Sequence, residues 1–178
     1  RIPARHPGCT GGGPPPPMFE LRCRKAAAPA AFAPIPTVMT DPTLHHVHCP
    51  DTAEGHRMAW WQWGDAQASR LIVCAHGLSR QGRDFDVLAR ALLVRGEQQG
   101  QALRVVCPDV VGRGESDWLK DPMGYQFPTY VADMLAMLGT LQAQAPIGDF
   151  DWVGTSMGGL IGMMLAGTPQ LPLPAPVR

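Results

Sequence analysis

The sequence predicts an α/β protein with a mostly parallel sheet, an antiparallel hairpin at its N-terminal side and helices flanking the sheet. Short aliphatic runs, which suit strands buried on both faces, alternate with stretches of helical spacing. A serine stands between two glycines where the last aliphatic run becomes an apolar helix. The chain has 178 residues, of which 45% are hydrophobic, and this is enough for one domain with a sizeable core.

The first forty residues differ in composition from the rest. They are rich in proline, glycine and alanine and cannot build a core, so we predict a disordered extension over 1–40 and a globular domain over 41–178. A basic segment at 22–25 precedes small residues, but Pro29 and Pro34 interrupt them and disfavour a secretory signal. Met18 and Met39 are both possible translation starts, and a start at Met39 would make residues 1–38 an extension that is not translated.

The predicted hairpin comprises strands at 44–49 and 58–63, joined by a polar turn at 50–55. His45, His46 and His48 raise the question of a metal site, because His46 and His48 would project from one face of the first strand. Because no carboxylate or cysteine completes a ligand set nearby, we interpret them as exposed strand residues and predict no metal site. The tryptophans of the second strand are expected to pack in the core and at the sheet edge; they are Trp60, Trp61 and Trp63.

Further elements follow in alternation. Strands are predicted at 71–75, 105–107 and 150–153. The first helix has apolar spacing from Phe85 to Leu92, with Asp84 and Gly96 as its caps. The second helix has one buried stripe, and the third, over 159–166, is apolar on every face, as expected for a helix packed behind a sheet. The stripe of the second helix consists of Val131, Met134, Leu135 and Leu138.

The segment from Gly154 to Gly158 reads Gly-Thr-Ser-Met-Gly and is typical of a nucleophile elbow. A serine that must reach solvent from a packed sheet needs a very sharp turn, in which flanking side chains would clash with the backbone. Glycine on both sides of Ser156 removes that obstacle. The alternative is a glycine-rich turn in which the serine has no role.

Two further signatures precede this one. His76-Gly77 follows one predicted strand, and the pattern Asp-x-x-Gly-Arg-Gly-x-Ser-Asp-Trp, beginning at Asp109, follows the next. In this order the three motifs resemble the α/β-hydrolase superfamily, in particular its esterase-like and carbon–carbon bond hydrolase members. The resemblance covers 43–166 and implies a partial α/β-hydrolase fold whose later strands are missing.

The resemblance also assigns roles to residues. It implies that Ser156 is the nucleophile and that the backbone N–H groups of Leu78 and Met157 form the oxyanion hole. His76, Gly77, Gly154 and Gly158 would support the oxyanion loop and the elbow. His76 is then a structural residue, and the catalytic base would come from a later loop.

Four other charged residues near the motifs have two interpretations each. Asp109 and Arg113 are expected to form a buried or half-buried pair that fixes their turn, with contact to substrate as the alternative. Arg80 and Arg83 could bind a substrate carboxylate, although solvated positions at the start of a helix are the simpler interpretation.

The rest of a catalytic triad is not in this sequence. The family order is serine, acid, histidine, yet the 22 residues after Ser156 contain no aspartate, glutamate or histidine. We therefore interpret the chain as the N-terminal part of an α/β-hydrolase, inactive alone, with the strand before Ser156 left as an apolar edge. Its tail, 168–178, should lead towards another strand.

The predicted function is a serine hydrolase that acts on a small ester or acyl substrate without a cofactor. Alternatives are a carbon–carbon bond hydrolase, a haloperoxidase-like enzyme, or a non-catalytic scaffold of the same fold. Relatives with an aspartate nucleophile, such as epoxide hydrolases, are disfavoured because position 156 is serine.

Charge and cysteine content narrow the expected partners to a small-molecule substrate. The net charge is zero, which argues against nucleic acid, and no apolar run is long enough to span a membrane. The five cysteines form no C-x-x-C pair, and this scattered set favours a reducing compartment, hence the cytoplasm. Cys74 and Cys107 lie in aliphatic runs and are predicted to be buried thiols.

Overall fold

A computed structural model describes residues 41–51 and 54–178, so the predicted extension over 1–40 lies outside the described residues. The strands are β1 (Thr43–Cys49), β2 (His56–Gly64), β3 (Arg70–Ala75), β4 (Arg104–Asp109) and β5 (Asp149–Gly154). The helices are α1 (Asp86–Gln98), α2 (Phe127–Gln144) and α3 (Met157–Gly167). Short 3-10 turns cover Gly82–Phe85 and Pro122–Gly124.

The five strands form a single sheet in the order β1-β2-β4-β3-β5. β1 pairs antiparallel with β2, with His45 opposite Trp60, and β2 pairs antiparallel with β4. β3 runs parallel to both β4 and β5. The predicted class is confirmed: an antiparallel hairpin leads into a parallel part, and the carboxyl ends of β3, β4 and β5 meet at one edge of the sheet.

Helices cover both faces of this sheet. α2 and α3 contribute to the larger core cluster, in which Met134, Leu138 and Ile161 are fully buried against Leu71 and Phe150. The opposite face carries α1 and a smaller cluster that includes Cys74 and Cys107. Both thiols are buried and free, as predicted. The predicted stripe of α2 is also confirmed, with Leu135 packed at its margin.

The ends of α1 differ from the prediction. Asp84 belongs to the 3-10 turn before the helix, and Gly96 lies inside the last turn of α1, so neither residue is a cap. Gly96 is buried because Leu103 packs directly on it: a Cβ at this glycine would be 2.7 Å from Leu103 Cδ1. Glycine is required at position 96 by packing. From the sequence alone it resembled the glycine that follows the end of a helix.

α3 and β5 form the outer boundary of the described fold. α3 buries one face only; on its other face Leu160, Met163 and Met164 are exposed by 45%, 64% and 38%. The predicted apolar edge at β5 is only partly open, because the tail pairs with it. Arg178 N donates to Phe150 O at 3.1 Å, and Trp152 N donates to Arg178 O at 3.1 Å.

Candidate active site

Ser156 lies at the turn between β5 and α3 in a strained conformation. Its φ is 51° and its ψ is −115°, and it is the one non-glycine residue with positive φ among the described residues. The residue is exposed, at the carboxyl end of β5. A non-glycine residue in this region costs about 1–3 kcal/mol and is often found at functional sites. The turn therefore has the sharpness that was predicted for an elbow.

The two flanking glycines are required by close backbone contacts. A Cβ on Gly158 would lie 2.1 Å from Ala75 O, and one on Gly154 would lie 2.4 Å from Gly159 N. Both distances are far shorter than any real contact of a Cβ, and both neighbouring atoms belong to the backbone, which cannot move aside. Glycine at these positions lets α3 begin directly against the end of β3.

The loop after β3 lies against the elbow. A Cβ on Gly77 would be 3.6 Å from Ser156 Cβ and 3.5 Å from Thr155 O. The next residue, Leu78, has its side chain 61% exposed. Among the described residues, the backbone N–H groups of Leu78 and Met157 donate no hydrogen bond, so both are available to a ligand. The N–H of Met157 is also at the positive end of α3.

His76 holds this loop in place through a hydrogen bond at each ring nitrogen. Its ring is 1% exposed; Nε2 accepts a hydrogen bond from Val110 N at 2.9 Å, and Nδ1 lies 2.7 Å from Gly77 O. Because Nε2 is an acceptor, the neutral ring carries its proton on Nδ1 and donates it to Gly77. Burial lowers the pKa of His76, although the Gly77 carbonyl and Asp109 oppose the shift. Both ring nitrogens are thus occupied by backbone groups.

Asp109 holds the turn after β4 through bonds to the backbone. The carboxylate is fully buried and accepts from Gly82 N at 2.6 Å, Glu115 N at 3.0 Å and Trp61 Nε1 at 3.2 Å. The predicted pair with Arg113 is wrong. Backbone N–H groups surround Asp109 so closely that a Cβ on Gly114 would collide with it, and the guanidinium bonds elsewhere.

Arg113 links the loop after β3 to the loop after β4 through hydrogen bonds to one carbonyl oxygen of each. Its Nε donates to Leu78 O at 2.9 Å, and its Nη1 donates to Val111 O at 2.7 Å. The guanidinium carbon is 5.7 Å from the ring centroids of both Tyr125 and Tyr130. Within the described part of the chain, Arg113 has no carboxylate partner, although the residue is half-buried.

Arg80 pairs with Asp84 in the 3-10 turn before α1, and Arg83 pairs with Asp86 at the start of α1. Arg83 is bound through two atoms to Asp86, at 2.7 and 2.6 Å, and its guanidinium stacks over Trp61 at 4.7 Å. Arg80 makes a single bond from Nε to Asp84 at 2.6 Å, with a side chain that is 65% exposed. These pairs agree with the simpler interpretation for Arg83 and leave the outer nitrogens of Arg80 open.

A buried polar cluster of Cys49, His56 and Asp133 was not predicted from the sequence. His56 Nε2 lies 3.0 Å from Asp133 Oδ2, and Cys49 is next to the same carboxylate. Burial raises the pKa values of the Cys49 thiol and of Asp133. The sequence feature that could have revealed this cluster is Asp133, an aspartate within the apolar part of α2, because a buried carboxylate requires a buried partner.

These three residues could approach one metal ion, because their ligand atoms lie within 4.8 Å of one another. Three donors are fewer than the four of a structural zinc site, and His56 Nδ1 faces Asp51 Oδ2 at 3.5 Å on the other side of the ring. The arrangement fits a hydrogen-bonded network that ties the β1–β2 hairpin to α2. His46 and His48 are exposed on β1, as predicted, and His45 stacks on Trp60.

No histidine or carboxylate of the described residues hydrogen-bonds to Ser156. Across the same residues, every helix is too short or too polar to cross a bilayer.

Comparisons with known proteins agree with the fold described above. A family model described as alpha/beta hydrolase fold matches residues 70–178. A 3-hydroxybutyrate-oligomer hydrolase from Cupriavidus necator is 52% identical over 132 residues, which cover 74% of this chain and 41% of that protein. The chain thus spans less than half the length of this curated relative.

Solved structures of the same fold also match most of this chain. An alpha/beta hydrolase from Novosphingobium aromaticivorans is 32% identical with a TM-score of 0.57, and the match covers 76% of this chain and 43% of that one. An epoxide hydrolase from Vigna radiata has a TM-score of 0.60 at 20% identity, covering 75% of this chain and 38% of its own. At that identity the likeness concerns the fold alone.

Proposed function

Because the chain belongs to the alpha/beta hydrolase fold family, we propose that it carries the nucleophile and the oxyanion hole of a serine hydrolase. Ser156 attacks the carbonyl carbon of an ester, and the N–H groups of Leu78 and Met157 bind the oxygen as it becomes negative. Preplaced donors of this kind typically contribute a factor of about 10² to 10³ each to turnover.

The observation that carries this proposal is the conformation of Ser156. An exposed serine held at a φ of 51°, with glycines on both sides that backbone contacts require, serves no evident purpose in packing. The strain is understandable if the hydroxyl must project over the carboxyl end of the sheet, towards two N–H groups that have no partner among the described residues.

A base and an acid complete the mechanism in this proposal, and both come from residues that follow Arg178 in a longer protein. The base takes the proton of Ser156, and the acid orients the base. His76 does not take this role, because its Nε2 accepts from Val110 and its Nδ1 faces Gly77. The 178-residue chain alone should therefore turn over little ester. The enzyme is expected to act in the cytoplasm, on small molecules.

For the substrate we propose short oligoesters of hydroxy acids. Support comes from the relative named 3-hydroxybutyrate-oligomer hydrolase, at 52% identity over most of the described part of the chain. An oligoester offers acyl carbonyls that suit a serine nucleophile, and it needs no cofactor.

The test compares Ser156→Ala with the parent sequence in two settings. In a longer protein that contains this chain, the parent should hydrolyse 3-hydroxybutyrate oligomers and react with a fluorophosphonate probe. Ser156→Ala should lose both properties, with turnover reduced by a factor of about 10⁴ or more. Folded longer protein that neither reacts nor hydrolyses would favour a non-catalytic scaffold.

The second setting is the 178-residue chain itself. Robust hydrolysis that depends on Ser156 would contradict the idea that the base lies beyond Arg178. Residual rates close to those of Ser156→Ala are the expected result.

A further inference from the structure

Arg113 differs from most arginines of the described residues: like Arg104 it bonds to carbonyl oxygens and faces no carboxylate, but unlike Arg104 it lies beside an open pocket. Most of them face a carboxylate, as Arg83 faces Asp86. Arg113 is half-buried between Tyr125 and Tyr130 and has only carbonyl oxygens as partners. Cations that are partly removed from water are generally paired, because their desolvation is costly. An anion is the natural missing partner.

The nitrogens of Arg113 show where such an anion would bind. Nε and Nη1 are used by Leu78 O and Val111 O, which fixes the plane of the guanidinium. Nη2 makes no hydrogen bond within residues 41–51 and 54–178. A guanidinium that is already held in place loses little entropy when it binds a carboxylate.

A pocket of about 280 Å³ opens next to this group. Arg80 shares it and uses only Nε for Asp84, so its outer nitrogens also remain open. Among the lining side chains, two guanidinium groups outnumber the single carboxylate of Asp84, while the carboxylate of Asp109 lies behind Gly114 and is bound by backbone N–H groups. Its lining consists of Ser79, Arg80, Gln81, Asp84, Arg113 and Gly114.

The pocket adjoins the oxyanion loop. Its wall begins one residue after Leu78, and Arg113 bonds to the carbonyl of Leu78 itself. Gly77 connects the two places, since a Cβ there would be 3.6 Å from Ser156 Cβ and 3.9 Å from Arg80 Cγ. A group bound in the pocket would therefore belong to a molecule whose ester carbonyl reaches Ser156. A linear oligoester of hydroxy acids has both features, since its free end is a carboxylate close to its last ester bond.

We propose that Arg113, assisted by Arg80, binds the free carboxylate of an oligoester substrate and so selects hydroxy-acid oligomers over neutral esters. This inference rests on the proposed function, whose substrate class it narrows. It distinguishes the three arginines near the motifs: Arg113 and Arg80 bind the anion, whereas Arg83 is occupied by Asp86 and Trp61.

The experiment measures binding, so it does not require turnover. The protein is the chain with Ser156→Ala, which prevents hydrolysis. The ligands are the linear dimer of 3-hydroxybutyrate as free acid and as its methyl ester, which differ at one end by the charge and by one methyl group. Dissociation constants are measured by NMR titration, and we expect the acid to bind about tenfold more tightly than the methyl ester.

Three further variants test the residues. Adding Arg113→Gln should abolish the preference for the acid, and adding Arg80→Gln should reduce it by a factor of about two to five. Adding Arg83→Gln is the matched control and should leave the preference unchanged. Arg113→Gln could also displace Leu78, and a displaced loop alone would weaken the binding of both ligands. The decisive quantity is therefore the ratio of the two dissociation constants, that of the acid to that of the methyl ester.

Several results would overturn the proposal. They are equal binding of acid and methyl ester, failure of both to bind, or a preference that survives Arg113→Gln. Failure of the proposed function appears separately, as a lack of hydrolysis and probe labelling that depend on Ser156.

Discussion

Two arginines at opposite ends of β4 lie in opposite kinds of environment. Arg104 opens the strand and is fully buried, with Nη1 donating to Ala66 O and Leu141 O at 3.2 Å and Nη2 donating to Ala145 O at 3.3 Å. Arg113 follows the end of the strand and bonds to only two carbonyls, beside an open pocket. Neither has a carboxylate partner among the described residues.

The arginine at the amino end of β4 contributes to stability, whereas the arginine beyond its carboxyl end lies where ligands of such sheets bind. At the amino end, Arg104 satisfies carbonyls at the end of α2, where a positive charge also complements the helix dipole. At the carboxyl end, the groups left open are an arginine nitrogen, two backbone N–H groups and a strained serine. Ligands of parallel α/β sheets bind beyond the carboxyl ends of the strands, and here the unsatisfied groups collect at that edge.

The largest effect on stability is expected for Arg104→Met. Methionine keeps much of the side-chain length but leaves buried carbonyl oxygens of Leu141 and Ala145 with fewer donors. We expect a loss of about 3 kcal/mol in the free energy of unfolding, measured by urea denaturation.

Arg57→Met is the matched control for this change. Its side chain is 56% exposed and pairs with Asp117 at 3.2 Å on the surface, so the variant should stay within about 1 kcal/mol of the parent. Equal stabilities of Arg104→Met and the parent would mean that desolvation of the guanidinium cancels its hydrogen bonds, and the contrast between the two ends of β4 would then disappear.

Much of the architecture followed from the sequence because it depends on periodicity and local motifs. The aliphatic runs predicted the positions of β3, β4 and β5, and the stripe of apolar residues on α2 predicted its buried face. The sharp turn at Ser156 was also predictable, since the Gly-Thr-Ser-Met-Gly pattern is local and the close contacts at Gly154 and Gly158 follow from that turn.

Interactions between distant segments were not predictable. Asp109 bonds to Gly82 and Glu115 instead of Arg113, and His56 reaches Asp133 across 77 positions of sequence. Such pairs depend on how elements pack, which a pattern of residue types does not encode. The pairing of the tail with β5 belongs to the same class.

A moderate gain in stability is expected for Ser156→Gly. Glycine adopts positive φ without a steric penalty, so the strain at the elbow is relieved, partly offset by the greater freedom of the unfolded chain. We expect an increase of about 0.5–1 kcal/mol in the free energy of unfolding. Ser156→Ala serves as the control because it removes the hydroxyl but keeps the strain. If both variants were equally stable, the strain at Ser156 would be too small to matter.

The smallest effect concerns the pH dependence that His76 adds to stability. Burial lowers the pKa of His76 in the folded protein, so the unfolded chain, with a value near 6.5, binds the proton more readily. The contribution of His76 is therefore complete above about pH 6.5 and is lost as the pH falls through the folded-state pKa. Protonation would also remove the acceptor at Nε2 that Val110 N requires, and the loop beside Ser156 would loosen.

His76→Asn tests this dependence because asparagine cannot titrate. Free energies of unfolding are measured between pH 8 and pH 5 for the parent and the variant, and their difference isolates His76, since the other titrating groups are common to both. The variant should be less stable at pH 8, where it lacks the bond from Val110, and the gap should narrow as the pH falls. A gap that stays constant, or widens towards acid, would show that His76 is protonated as easily in the fold as in the unfolded chain. The loop after β3 would then be held by the bond from Arg113 to Leu78 O rather than by a neutral imidazole.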